Sequence, residues 1–150
     1  MLMITLLKTA LLTAGLSLLP LAACAAPTEP PSQASQPVES SRVAAVRVHA
    51  DWCPNCKALD PKVAAVQSAG EWEGVSFVRI DFTRRDRDAV YAEADQLGLG
   101  QALRDYFAGG IKTGLLLLID VENQSVIDVL NSKVSEDEIA ERILAAQNAL

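Results

Sequence analysis

Two cysteines separated by two residues, Cys53-Pro54-Asn55-Cys56, stand where a β-branched run gives way to a helical pattern. That junction constrains the fold more than any other feature of the chain. Before it, Val43-Ala44-Ala45-Val46-Arg47-Val48-His49 reads as a short strand. After it, residues 54–69 place Leu59, Val63 and Val66 at the spacing of one helix face. Pro54 suits a first helical position, where its missing N–H costs nothing. Pro61 falls inside the helix and predicts a kink, because it removes one backbone donor and crowds the preceding turn. Cysteines three apart on a first helical turn bring their sulfurs within disulfide reach. The first stands at the helix N-terminus, where free amides and the helix dipole favour a thiolate. Cys53 is therefore the expected nucleophile and Cys56 the resolving thiol.

Other uses of such a pair fit less well. A zinc site needs two more ligands, yet the chain has three cysteines and one histidine in all. Covalent haem attachment needs a histidine directly after Cys56, and Lys57 stands there. A purely structural disulfide stays open, although so short a loop restricts the unfolded chain little.

The first 21 residues carry a single charge, Lys8, followed by a ten-residue apolar run from Ala10 to Leu19. A basic start and a short apolar core describe an export signal. The run is short for a spanning helix, which needs about 20 residues; an uncleaved anchor is the competing reading. Leu21-Ala22-Ala23-Cys24 resembles the lipobox of bacterial lipoproteins, in which the cysteine is lipidated and becomes the mature N-terminus. Lipidation of Cys24 leaves one cysteine pair and no odd thiol. The expected organisation is a signal peptide over 1–23, a lipidated Cys24 with a Pro-rich tether over 24–42, and one domain over 43–150. The tether contains Pro27, Pro30, Pro31 and Pro37 and too little apolar surface to fold. Beyond residue 23, 12 basic side chains stand against 19 acidic ones, which disfavours nucleic acid and anionic lipid surfaces as partners.

The rest of the domain alternates strand and helix signals. Residues 74–80 read as a second strand and residues 83–107 as a charged helical region broken near Gly98 and Gly100. Leu115-Leu116-Leu117-Leu118-Ile119 is a continuous apolar run, as in a strand buried on both faces. Residues 121–124 turn the chain into a return strand over 125–130. Ser135 with Glu138 three residues on has the spacing of a capping box and opens a last helix, with Ile139, Ile143 and Leu144 expected on the sheet. The order is β-α-β-α-β-β-α, an α/β fold with a central mixed sheet and helices on both faces.

His49-Ala50-Asp51-Trp52-Cys53-Pro54-Asn55-Cys56-Lys57 resembles the active-site segment of the thioredoxin family, and Pro61 matches the proline that kinks the family's active-site helix. Gly110-Ile111-Lys112-Thr113, running into residues 115–120, resembles the loop and strand that face the redox pair. The Ala-Asp-Trp-Cys start and the long segment between Asp81 and Gly110 are most similar to the C-terminal periplasmic domain of the membrane thiol transporter DsbD. The resemblance implies a thioredoxin-like fold, a redox-active Cys53–Cys56 disulfide and a site supported by Trp52, Pro54, Asn55, Lys57, Ile111 and Lys112. Two departures stand out. Lys112 occupies the place of the family's cis-proline, so the Ile111–Lys112 bond is expected trans, since a cis bond there costs roughly 2.5–4 kcal/mol. Arg47 occupies the place of a buried acid that helps with protons during resolution.

The expected function is a membrane-tethered, periplasm-facing thiol:disulfide oxidoreductase acting on protein disulfides, with a membrane thiol transporter as electron donor. No cofactor and no nucleic acid are implied. The alternative is a thioredoxin-fold binding or assembly module without turnover, a variant of which binds metal through the cysteine pair. Among weaker signals, Trp52 is expected as a lid beside Cys53, His49 as a strand-end packing group, and residues 84–88 as a solvated face. Trp72 is expected to cover the end of the first helix. Lys112 is expected to face Cys53 and favour its thiolate.

Overall fold

The computed structural model describes residues 38–150. The expected signal peptide, the lipidated Cys24 and most of the expected tether lie outside the described residues. Four strands form one sheet in the order β2-β1-β3-β4: β1 Val43–His49, β2 Val75–Asp81, β3 Leu115–Asp120 and β4 Ser125–Asn131. β1 pairs parallel with β2 and antiparallel with β3, and β3 and β4 form an antiparallel hairpin. The sheet is therefore mixed, as expected.

The helices are α1 Pro54–Ala69, α2 Arg87–Gln96, α3 Gly100–Tyr106 and α4 Glu136–Asn148. Leu59, Val63 and Val66 of α1 and Ile139, Ile143 and Ala146 of α4 pack on one face, against Val43 and Ala45 of β1 and Leu116 and Leu118 of β3. Val90 and Ala94 of α2 and Ala102 and Leu103 of α3 cover the other, against Val46, Val48, Leu117 and Ile119. All seven residues of β1 are buried, so the strand that leads into the cysteines is the centre of the domain. A bulge in the β3–β4 ladder, where Leu118 faces Asp128 and Ile119 faces Val126, switches the faces of β4. Val126 consequently joins the α2–α3 side while Leu130 joins the α1–α4 side.

Four expectations shift. The chain packs before Val43: Val38–Ser40 form a 3-10 turn, Val38 is in the core, and the Arg42 amide donates to the Gly74 carbonyl. The last residues of the expected tether thus belong to the domain. The charged helical region begins at Arg87 rather than Thr83, because Asp86 caps α2 by accepting from the Ala89 amide at 3.0 Å. The break in that region separates two distinct helices, so the order is β-α-β-α-α-β-β-α. Leu144 is half exposed, and Ala146 takes its expected place against the sheet. Ser135 caps α4 as expected, accepting from the Glu138 amide at 3.1 Å.

Candidate redox site

Cys53 is the N-cap of α1, with an extended backbone and a sulfur that accepts from the Cys56 amide at 3.1 Å. Pro54 fills the first helical position, where the absent N–H leaves no donor unsatisfied. The two cysteines are joined as a disulfide, with Cα atoms 5.3 Å apart. Cys56, one turn inside, places its sulfur 3.9 Å from the Val48 carbonyl oxygen, an acceptor for its S–H in the reduced state. Both residues are buried, Cys53 at 4% and Cys56 at 1% exposure. Any difference in reactivity between them therefore comes from the helix cap and not from exposure.

Trp52 is 43% exposed beside the pair. Its indole N–H donates to the Thr83 carbonyl at 3.0 Å, its ring meets Phe82 edge-on, and the Arg85 guanidinium lies 4.3 Å over its face. The loop after β2 thus holds the tryptophan from three sides. Arg85, expected on a solvated face, takes a left-handed backbone (φ +59°) to reach it. Thr83 is fixed in turn by Asp81, which accepts from both its amide and its hydroxyl. Desolvation of Asp81 acts to raise its pKa, but the two Thr83 hydrogen bonds, with Arg79 and His49, outweigh it and hold the carboxyl below its ordinary value. On the other side of the pair, Asn55 accepts from the Ser132 hydroxyl at 3.1 Å, which ties the redox turn to the loop after β4. Lys57 is exposed on the first turn of α1.

All peptide bonds among the described residues are trans, Ile111–Lys112 included. Ile111 is half-buried against the α2–α3 core, and Lys112 is exposed without an ion pair among the described residues. The loop residue that meets the cysteines is Gly114. It is buried with φ +78°, and a Cβ built there would lie 3.4 Å from Cys53 Sγ and 2.5 Å from Asn55 Cβ. The sequence reading missed it. The available signal was a glycine directly before an unbroken apolar strand, at a point where the chain must pass close to another segment.

Behind the pair lies a group of buried charges. Arg47 is 3% exposed and its Nη1 reaches the Asp60 carbonyl (3.3 Å) and Asp60 Oδ1 (3.4 Å), while its Nε has no partner among the described residues. Burial pushes the Arg47 guanidinium below its ordinary range; Asp60 opposes that shift and Arg79 adds to it. His49, expected as a packing group, is 7% exposed and lies between two carboxylates. Its Nδ1 is 2.6 Å from Asp60 Oδ2, off the line of a good hydrogen bond, and its Nε2 is 3.1 Å from Asp51 Oδ1. Trp72 donates to the Val66 carbonyl and covers the end of α1, as expected. Among the described residues no group of three or more side chains gathers with the arrangement of a metal site.

Residues 31–95 match the family model described as thioredoxin. No curated protein sequence matches. Among solved structures, the thioredoxin of Fasciola hepatica is 19% identical with a TM-score of 0.46, covering 72% of this chain and 85% of that one. Trxlp from Edwardsiella tarda EIB202 is 18% identical, with a TM-score of 0.47 over 72% and 87% of the two chains. StoA from Bacillus subtilis is 16% identical, with a TM-score of 0.48 over 68% and 82%. The chain carries a thioredoxin-like α/β fold, and its match to the thioredoxin family runs through β1, the cysteine pair, α1 and β2 into α2.

Proposed function

We propose that this chain is a thioredoxin-family thiol:disulfide oxidoreductase that acts on protein disulfides while held on a membrane, facing the periplasm, by lipid on Cys24. The observation that carries the redox reading is the cap of α1: Cys53 Sγ receives the Cys56 amide, and Cys56 sits one turn inside. That amide and the helix dipole stabilise a Cys53 thiolate. The thiolate attacks a protein disulfide, forms a mixed disulfide, and is released when Cys56 attacks Cys53. Electrons reach the pair from another protein, a membrane thiol transporter in this reading, a partner suggested by the resemblance of the Ala50-Asp51-Trp52-Cys53 segment alone.

Two experiments test this. The reduced full chain, mixed with a disulfide-bonded peptide, is expected to release peptide thiols and finish with Cys53 and Cys56 oxidised. The oxidised chain, mixed with a dithiol peptide, reads the opposite direction. No exchange in either direction overturns the redox reading. For the anchor, Cys24→Ser is expected to move the protein from the membrane to the soluble fraction, because multiple acyl chains hold firmly where one binds only marginally. Membrane retention with an uncleaved N-terminus overturns the lipid anchor.

A further inference from the structure

The rim of the redox pair gathers exposed cations from four separate segments. Lys57 follows Cys56 on the first turn of α1. Arg85 comes from the loop after β2 and sets its guanidinium 4.3 Å over the Trp52 ring. Lys112 lies two residues before Gly114, where a Cβ would stand 3.4 Å from Cys53 Sγ. Lys133 follows Ser132, whose hydroxyl donates to Asn55 at 3.1 Å. All four are exposed, and none forms an ion pair among the described residues. We infer that this rim selects protein partners whose disulfide is flanked by Asp or Glu, with Arg85 as the residue that receives a flanking carboxylate. The inference names a substrate class for the redox reading above and rests on it.

The composition runs against such a rim, since the chain carries a formal charge of −6. Its carboxylates lie elsewhere or are engaged. Glu71 and Glu73 precede β2, and Glu122 sits in the β3–β4 turn. The parallel β1–β2 and antiparallel β1–β3 pairings put these three at the end of the sheet away from the cysteines. Beside the pair, Asp51 faces His49 at 3.1 Å and Asp81 accepts from Thr83. In the Arg85 loop, Arg84 and Arg87 offset Asp86 and Asp88, and Asp86 is occupied as the cap of α2. Four cations against Asp51 and Asp81 leave the rim positive.

Arg85 differs from the three lysines in being held. Its backbone takes φ +59°, a left-handed conformation that residues other than glycine seldom adopt, and the turn lays the guanidinium on Trp52. Trp52 is itself fixed by the Thr83 carbonyl and by Phe82, and it directly precedes Cys53. A guanidinium on an aromatic face keeps N–H donors for a planar carboxylate, which it binds through two parallel hydrogen bonds. Held in this way, it has less freedom to lose when the carboxylate arrives. The lysines add a field that speeds encounter with an acidic segment without fixing its pose.

The test uses the reduced full chain and three peptides that share one disulfide ring and differ only in the residues flanking it: Glu, Gln or Lys. Each reduction rate is divided by that of the same peptide with dithiothreitol, which removes the effect of flanking charge on the disulfide itself. At about 0.01 M salt, where charges act over about 30 Å, the Glu peptide is expected to react about tenfold faster than the Lys peptide. At about 1 M salt that range falls to about 3 Å, and the gap should close to within about twofold. Arg85→Gln is expected to lower the Glu-to-Lys rate ratio roughly 2–5-fold, and Arg85→Lys to restore part of it. Equal rates for the three peptides, or a preference for Lys, overturn the inference. Equal slowing of all three by Arg85→Gln marks a residue that only steadies Trp52, and overturns its role as carboxylate receptor. If Arg85→Gln does not fold, Lys112→Gln combined with Lys133→Gln decides: a lower ratio supports the rim, and an unchanged ratio overturns it. No exchange with any peptide, from the reduced or the oxidised chain, overturns the redox reading itself, a result distinct from exchange at equal rates.

Discussion

Cys53→Ser is expected to abolish disulfide exchange, whereas Cys56→Ser is expected to accumulate a mixed disulfide on Cys53. The attacking species is a thiolate, and a serine hydroxyl stays un-ionised near neutral pH, so the loss should be at least ~10³-fold. Only Cys53 occupies the N-cap, with the Cys56 amide on its sulfur at 3.1 Å. Cys56 has the Val48 carbonyl for a neighbour, and an acceptor favours the thiol over the thiolate. Since the two residues are almost equally buried, the asymmetry rests on this difference in hydrogen bonding. With Cys56 replaced, attack proceeds, but no second thiolate breaks the bond to the substrate. Mass spectrometry after mixing with a disulfide peptide reads the adduct. An adduct that builds up on Cys56 in the Cys53→Ser protein would reverse the two roles. Alkylation of the reduced protein gives an independent check, with Cys53 modified well before Cys56.

Gly114→Ala is expected to destabilise the domain and to displace the turn that carries the cysteines. Two costs combine. A left-handed backbone at φ +78° costs an L-residue roughly 1–2 kcal/mol. The added methyl would meet Asn55 Cβ at 2.5 Å and Cys53 Sγ at 3.4 Å, and overpacking of this kind costs roughly 1–3 kcal/mol. The sum, about 2–5 kcal/mol, is a large part of a typical domain stability of about 5–15 kcal/mol. Neither relief is cheap: Asn55 belongs to the redox turn and is tied to Ser132, and Gly114 leads directly into β3. Denaturant unfolding should show the loss, and the surviving folded protein should exchange disulfides more slowly because the turn has been pushed aside. Wild-type stability together with wild-type exchange would show that the loop gives way freely at this point. Lys112→Ala serves as the contrast, since its side chain is exposed and a change of stability within about 0.5 kcal/mol is expected.

Much of this molecule was legible because the relevant physics is local. A cysteine before a proline that suits a first helical position marks the start of α1, and the apolar spacing of Leu59, Val63 and Val66 marks its inner face. Ser135 with Glu138 marks α4, and an unbroken Leu run marks β3 as a strand covered on both faces. Each of these depends on residues within a turn or two of one another. The cysteine pair was legible for the same reason, and so were the trans peptide at Lys112 and the tryptophan beside Cys53. Where prediction slipped, two local signals competed. Ile143 and Leu144 both suit the sheet side of α4, and only the placement of α4 against α1 and β1 buries Ile143 and Ala146 while Leu144 faces outward.

What the tertiary structure alone decided are contacts between segments far apart in the chain. Arg47 and His49 come from β1, Asp60 from α1 and Arg79 from β2, and no spacing rule relates them. They meet because parallel pairing sets Arg47 opposite Arg79 and His49 opposite Asp81, while α1 lies across that face. Gly114 touches Cys53 across 61 positions for the same reason: the β1–β3 register brings the loop to the cysteines. The sequence by itself determined most of the strands and helices and the cysteine pair at the start of α1, since hydrogen bonding and side-chain period act over short range. The surroundings of that pair were decided by packing, because a buried charge is stable only where other segments bring it a partner.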